Sequence, residues 1–424
     1  MTTSATTRTA VDTLVVNVAE LATLAGPNAR ARRGKDLAEL GLIPSGAVAI
    51  KDGKIAAVGS MDHVTGSVRT DGDTRIVDAA GCAVTPGLID PHTHLVFGGT
   101  REHDFVRRLQ GMTYAEIMAA GGGIQTSTTA TREATLDELV ASGRKRLGRM
   151  LANGTTTLEA KSGYGLDLDT EIKQLEAIAA LAAEGPQEIL ATYMGAHEVP
   201  KGWEADAYVD YVIGTVMPEV VRRNLAAFCD VFCEKGVFTP AQTERICLAA
   251  KGMGLGVRIH ADELSDLGGG ALAVKLGALS ADHLLMMGDE SITAMAGSDT
   301  VAVMLPGTPF FLNMAERAPA RKLIERGVAV AIGTDFNPGS CYTESMPMMM
   351  TLAALHLRMT PAEALAACTI NAAHALGVAD RLGSLEVGKQ ADLVIWDVPN
   401  HMHLAYHFGV QLTRHVIKRG EVVL

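Results

Sequence analysis

The sequence predicts an α/β protein: a (β/α)8 TIM-like barrel with a small β-sandwich domain formed by the N- and C-terminal segments. Three observations lead there. Short apolar runs recur eight times through the middle of the chain, most of them next to helical stretches; strand-like segments with turn signals sit at both ends; and histidines collect just past the apolar runs. Eight βα-like units over roughly 250 residues are what a closed parallel barrel needs, with short strands buried on both faces. A doubly wound open sheet is the runner-up. It would carry a glycine-rich phosphate loop directly after its first strand, and Gly121-Gly122-Gly123 lie far from that place.

Composition narrows the function classes. The 424 residues are 48% hydrophobic with 44 glycines and 4% aromatics, which suits many buried strands and tight connections better than disorder. A formal charge of -11 offers no general attraction to nucleic acid or to an anionic bilayer. Met1 to Ala10 is threonine-rich without the basic and apolar segments of a secretory signal, and no apolar run is long enough to span a membrane, so a cytoplasmic chain is expected. The six cysteines, at 82, 229, 233, 247, 341 and 368, do not resemble a disulfide scaffold, and Cys229 and Cys233 read as packed thiols.

In chain order, Val11 to Val18 is a weakly alternating strand. Ala47 to Val58 reads as a hairpin around Lys51-Asp52-Gly53-Lys54, and Arg75 to Asp78 adds a short extended piece. Ala391 to Asp397 and Val416 to Leu424 are strand-like too, with a turn at Lys418-Arg419-Gly420-Glu421. One composite β domain from residues 1–85 and 381–424 follows, around a barrel of residues 86–380; two unrelated β decorations are the alternative. Ala134 to Ala152 has helical leucine spacing and stops at Asn153-Gly154. The eight apolar runs are Ala83 to Ile89, Thr155 to Leu158, Glu188 to Met194, Ala226 to Cys233, Gly256 to Ile259, Ala278 to Ala281, Val301 to Leu305 and Val328 to Ile332.

Chemistry in such barrels gathers at the C-terminal strand ends. His92 and His94 follow the first run, two residues apart and therefore on one side of an extended chain. Glu159, Lys161 and Tyr164 follow the second run and His197 the third. Glu234 follows the fourth, then His260, Asp262 and Glu263, His283, and finally Asp335 with Asn337 after the eighth. Five of only 13 histidines sit at these ends, which points to a metal site. Three imidazoles and one carboxylate bind a divalent metal and leave a position for water. His92, His94, His260 and Asp335 form the chosen set, with His197 and His283 as rivals. Glu234 and Lys235 show no clear inward phase as a bridge to a second ion, so one metal is expected.

Pro86-Gly87-Leu88-Ile89-Asp90-Pro91-His92-Thr93-His94, His260-Ala261-Asp262-Glu263, His283 and Thr334-Asp335 resemble the metal-dependent amidohydrolase superfamily. Three further pieces look like its imidazolonepropionase family: Thr93-His94-Leu95-Val96-Phe97-Gly98-Gly99 with Arg101, Lys161-Ser162-Gly163-Tyr164-Gly165-Leu166, and Gly333-Thr334-Asp335-Phe336-Asn337-Pro338-Gly339-Ser340. The resemblance implies one zinc or iron ion per subunit on His92, His94, His260 and Asp335. It also implies hydrolysis of 4-imidazolone-5-propanoate to N-formimidoyl-L-glutamate in histidine degradation, and a homodimer. Residues before Val11 fall outside the pattern and are expected to be a disordered tail.

That reaction needs a nucleophilic water, a stabilised oxyanion, a proton for a ring nitrogen and a cation for the propionate. Asp335 accepts a hydrogen bond from the water, with His283 on what would be an adjacent strand, and Glu263 suits the proton shuttle. Arg101 holds the carboxylate through its planar fork, and Tyr164 bonds the same arm or the ring. His197 contacts the ring or its carbonyl, and Asn337 binds a ring nitrogen or steadies its loop. Structural readings stand beside these: a salt bridge for Glu263, packing for His283, a solvated surface for Arg101. Another cyclic-amide hydrolase or a ring deaminase is the functional alternative, and a non-catalytic barrel scaffold is the remote one. Met346, Met348, Met349 and Met350 read as helix packing, Gly268-Gly269-Gly270 as a flexible connection, and Gly121-Gly122-Gly123-Ile124 as a loop over the pocket. His401, His403 and His407 read as surface residues.

Overall fold

The computed structural model describes residues 8–113, 116–117 and 120–424. The N-terminal strands are β1 (Thr9–Ala10), β2 (Thr13–Ala22), β3 (Leu42–Lys51), β4 (Lys54–Ser60), β5 (Val68–Arg69), β6 (Arg75–Asp78) and β7 (Ala83–Pro86). Thr9 and Ala10 pair in parallel with Val68 and Arg69, so the expected tail is ordered at least from β1; residues 1–7 lie outside the described residues. The hairpin expected between Ala47 and Val58 forms as β3 and β4, which turn at Asp52-Gly53 with both residues at positive φ, the geometry that suits a right-twisted pair.

The chain end returns to this sheet. The strands β16 (Leu393–Trp396), β17 (Thr413–Lys418) and β18 (Glu421–Val422) extend it in the order β18-β17-β16-β7-β2-β3-β4, with β6 also on β2, giving a mixed sheet built from both termini. Alternation in β2 and β3 fills both faces: Val15, Val48 and Ile50 pack into one core, and Leu14, Val16 and Ala49 into another beside Val64.

The barrel strands are β8 (Leu88–Asp90), β9 (Thr155–Lys161), β10 (Glu188–Ala196), β11 (Phe228–Cys233), β12 (Gly256–Ala261), β13 (Ser280–His283), β14 (Val301–Met304) and β15 (Val330–Ile332). They pair in sequence order, all in parallel, and the ring meets through a Thr93–Phe336 bridge just past β8 and β15. The seam therefore lies among the residues that carry the chemistry. Asp335 N donates to His92 O at 3.0 Å, and His94 N to Phe336 O at 2.8 Å.

The run Ala83 to Ile89 is not one barrel strand, because β7 pairs with β2 and β16 while only β8 joins the barrel. Gly87 is the joint: a Cβ there would lie 2.2 Å from Thr156 Oγ1, so only glycine lets the chain pass between the two sheets. Trp396, fully buried, donates its indole N–H to Thr85 Oγ1 at 2.9 Å and packs at Gly154 at the foot of β9.

The helix Leu136–Ala152 ends at Asn153 as the sequence indicates, and the methionines of Met346–Leu357 pack as expected, with Met346, Met349 and Met350 buried. All six cysteines are buried and unpaired. Gly269 and Gly270 open the helix Gly269–Leu276 rather than a flexible connection. No helix among the described residues is long and apolar enough to cross a membrane.

Candidate active site

Every residue given a metal, catalytic or substrate role from the sequence, except His92, lines one cavity of about 450 Å³ at the C-terminal ends of the barrel strands; Glu159, Lys161, Glu234 and Asp262, also expected at strand ends, do not. His92 is fully buried. Its Nε2 lies 3.4 Å from Asp335 Oδ1, and His94 Nε2 lies 3.7 Å from the same oxygen. One nitrogen each from His92, His94 and His260 lie within 4.8 Å of one another, as do donors of His92, His283 and Asp335.

These residues fit a metal. Two ligands each about 2.0–2.1 Å from one zinc ion can stand no more than about 4 Å apart, and both distances to Asp335 fall within that limit. His92 Nε2 and His260 Nε2 are buried with no hydrogen-bond partner among the described residues, while the opposite ring nitrogens are committed. His92 Nδ1 is 2.6 Å from Asp282 Oδ2, and His260 Nδ1 is 3.0 Å from Asp230 Oδ1. Carboxylates at Nδ1 fix the N–H there and leave each Nε2 lone pair available, the usual arrangement behind a ligating imidazole.

Burial, then the Lys161 charge and the other imidazoles, holds His92 well below the ordinary histidine range; burial and the neighbouring imidazoles do the same to His94. His283 is lowered similarly, and His197 falls to about 3. Neutral imidazoles are the form that binds a metal. Asp335 is raised to about 6 by burial, against the Thr308 hydroxyl bonded to its Oδ2. Glu263 is pushed well above the carboxylate range by burial, then by Asp335 and Glu234.

His283 reaches the cluster by another route than expected. It stands on β13 and Asp335 follows β15, with β14 between them, so the two meet across the barrel interior rather than on adjacent strands. His283 Nε2 is 3.6 Å from Glu263 Oε2. Both His283, at φ +77°, and Asp335, at φ +53°, occupy left-handed backbone, a strain that marks functional sites.

The remaining candidates divide. His197 bonds Gly163 O through Nδ1 at 2.9 Å and stacks on His94 with centroids 5.0 Å apart, leaving Nε2 for a ligand. Tyr164 is buried, and burial raises its phenol so that it stays a hydroxyl. Arg101 immediately precedes the helix Glu102–Leu109, its side chain only 11% exposed, which removes the reading of a solvated surface residue. Asn337 has both amide ends engaged within its loop: Nδ2 with Asp335 O and Ser340 Oγ, Oδ1 with Gly339 N and Ser340 N. These bonds steady the loop, and Asn337 also lines the cavity. Glu234 accepts from Leu264 N and Ser265 N, pinning the loop that carries Glu263. His401 is buried and bonded to Glu20, a correction to the surface reading. Of the loop at 121–124, Ile124 lines the cavity.

A model of the amidohydrolase family matches residues 83–423. The imidazolonepropionase of Symbiobacterium thermophilum is 52% identical over 417 residues, 98% of this chain and 97% of its own. That of Geobacillus kaustophilus is 53% identical over 411 residues, 96% of each chain. The chain belongs to the imidazolonepropionase family of amidohydrolases. It is a metal-dependent hydrolase of carbon–nitrogen bonds, and its donor set fits one divalent ion per subunit. A zinc-bound adenosine deaminase from Xanthomonas campestris shares the fold, with TM-score 0.70, 22% identity, and coverage of 98% of this chain and 94% of its own.

Sequence reasoning missed what lies beneath the imidazolonepropionase-family site. Lys161 Nζ bonds Glu159 Oε1 and Asp230 Oδ2, each at 2.7 Å, and Arg258 bonds Asp282 Oδ2 at 3.1 Å and Pro91 O at 2.7 Å. All five charged groups are fully buried. Burial alone would lower Lys161, but Asp230 and Glu159 overrule it and raise its pKa. A signal existed: Glu159 and Lys161 keep a spacing of two just past the second run, and Arg258 sits within the fifth run two residues before His260.

Proposed function

We propose that the chain hydrolyses 4-imidazolone-5-propanoate to N-formimidoyl-L-glutamate in histidine degradation. One observation carries this reading: a single cavity is lined by the histidine–carboxylate cluster, by Glu263 and by the guanidinium of Arg101. The substrate has matching parts, a cyclic amide carbonyl and a propionate arm. The names of the two relatives at 52% and 53% identity support the same substrate.

In this reading His92, His94, His260 and Asp335 hold one zinc or iron ion. When bound, it polarises the ring carbonyl and acidifies water. Asp335, its Oδ2 held by Thr308, receives the water's proton, while His283 orients the water. Glu263, whose carboxyl burial pushes well above the ordinary carboxylate range, gives a proton to the leaving ring nitrogen as the carbon–nitrogen bond breaks. The water oxygen ends in the new carboxylate. Arg101 pairs with the propionate, Tyr164 bonds the arm or ring, His197 Nε2 contacts the ring carbonyl, and Asn337 fixes the loop behind Asp335.

The change of pairing partners at Gly87 supports dividing the chain into a barrel of residues 86–380 and a composite β domain of 1–85 and 381–424. A homodimer acting in the cytoplasm belongs to the same proposal. Exposed apolar side chains support it, Leu355 at 72%, Tyr406 at 79% and Phe408 at 65% exposure, and sedimentation equilibrium tests it.

The deciding assay follows loss of 4-imidazolone-5-propanoate absorbance by protein of known metal content, before and after chelation and after restoring zinc or iron. Turnover that vanishes on chelation and returns with about one metal per chain supports the proposal. A fully metallated protein without turnover would point to another cyclic-amide hydrolase or a ring deaminase.

A further inference from the structure

A guanidinium that must receive a carboxylate needs its fork aimed, and Arg101 is aimed by a residue that does not line the cavity. Arg101 immediately precedes the helix Glu102–Leu109, and Asp104 lies three positions on, so the two side chains share one face. Arg101 Nε donates to Asp104 Oδ2 at 3.0 Å. The Asp104 side chain is 7% exposed, and the same Oδ2 accepts Gly123 N at 2.9 Å while Oδ1 accepts Arg107 Nη1 at 3.4 Å. Asp104 is therefore fixed by helix and loop together.

Its bond to Nε uses one edge of the planar guanidinium. Among the described residues, neither terminal nitrogen of Arg101 has a hydrogen-bond partner, so the outer edge remains for a planar, bidentate acceptor. The other side of the fork is set by backbone. A Cβ at Gly339 would fall 2.1 Å from Arg101 Nη1, and Arg108 Nη1 holds Gly339 O at 3.1 Å, so that loop stays against the guanidinium.

We propose that Asp104 is a positioning residue for substrate recognition, orienting Arg101 so that its outer edge meets the propionate. This rests on the reading of Arg101 as the carboxylate partner. Asp104 touches Arg101 and not the substrate, and its effect passes through that one guanidinium.

Four proteins test it: the wild type, Asp104→Asn, Arg101→Ala and the double variant. Each is assayed with 4-imidazolone-5-propanoate and with its uncharged propionamide analogue, with metal content and thermal midpoint measured alongside. Expected for Asp104→Asn is a KM about tenfold or more higher on the propionate substrate, the effect of weakening one charge-assisted contact, with kcat and metal content nearly unchanged. The analogue should show no such rise, and the double variant should match Arg101→Ala. Equal losses on both substrates, or losses that add to those of Arg101→Ala, would show that Asp104 only ties the loop and would overturn the positioning role. An unchanged KM in Asp104→Asn beside a raised KM in Arg101→Ala would overturn it alone. Arg101→Ala with wild-type KM would overturn the carboxylate reading and this proposal with it.

Discussion

Replacing Lys161 by methionine removes one buried ammonium and keeps an unbranched stem of similar length. Nζ lies 2.7 Å from both Glu159 Oε1 and Asp230 Oδ2, with all three side chains fully buried. Asp230 supports His260 at 3.0 Å. Without Lys161 two carboxylates share a dry space, with Arg258 Nε 3.9 Å from Glu159 as the nearer remaining cation. Breaking a buried ion pair from one side costs about 3–5 kcal/mol. Proton uptake by Asp230 relieves part of that and makes it a weaker acceptor for His260 Nδ1. Loss of such support behind a ligating imidazole lowers metal affinity about 10–100-fold. Urea unfolding of the metal-free protein reads the first quantity, and competition with a chromophoric chelator reads the second. The triple variant Lys161→Met, Glu159→Gln, Asp230→Asn should recover most of the stability and little of the metal affinity, because it removes the stranded charges without restoring an anionic partner for His260. Lys161→Met with less than about 1 kcal/mol of destabilisation and wild-type metal affinity would refute the reasoning.

Glu263→Gln should retain the metal and lose about 100- to 10,000-fold in kcat, read by metal analysis and steady-state rates, since the amide cannot carry the proton. His260→Ala should lose most of its metal together with catalysis; the same two measurements separate it from Glu263→Gln. Gly87→Ala should destabilise by about 1–3 kcal/mol in denaturant unfolding, because its Cβ would meet Thr156 Oγ1 at 2.2 Å at the crossing between sheets. His374, with Nε2 buried and unpartnered among the described residues, has its pKa lowered chiefly by burial. Its unfolded form takes up a proton as pH falls through about 6.5 while the folded form resists, so this contribution to stability is present above that pH and lost below it. His374→Asn should therefore show a smaller drop in urea midpoint between pH 7.5 and pH 5.5 than the parent; an equal drop would assign the acid sensitivity elsewhere.

Much of the barrel was legible because each strand carries its own period and its own boundaries. The eight apolar runs correspond to the eight strands, and the histidines just past them needed only the direction of the chain to be placed at one end of the ring. His92 and His94 were marked by their spacing alone. The tertiary structure decided how the first run divides, since Ala83–Pro86 and Leu88–Asp90 are both apolar and only their partners differ. It also decided that Asp230 and Asp282 stand behind ligating imidazoles, with Lys161 and Arg258 behind them, because those contacts join different strands and appear only when the sheet curls into a closed ring. His283 meets Asp335 for the same reason, across the interior and past an intervening strand. Local periodicity sets which residues face one side of a strand; the curvature and closure of the whole sheet set what they face.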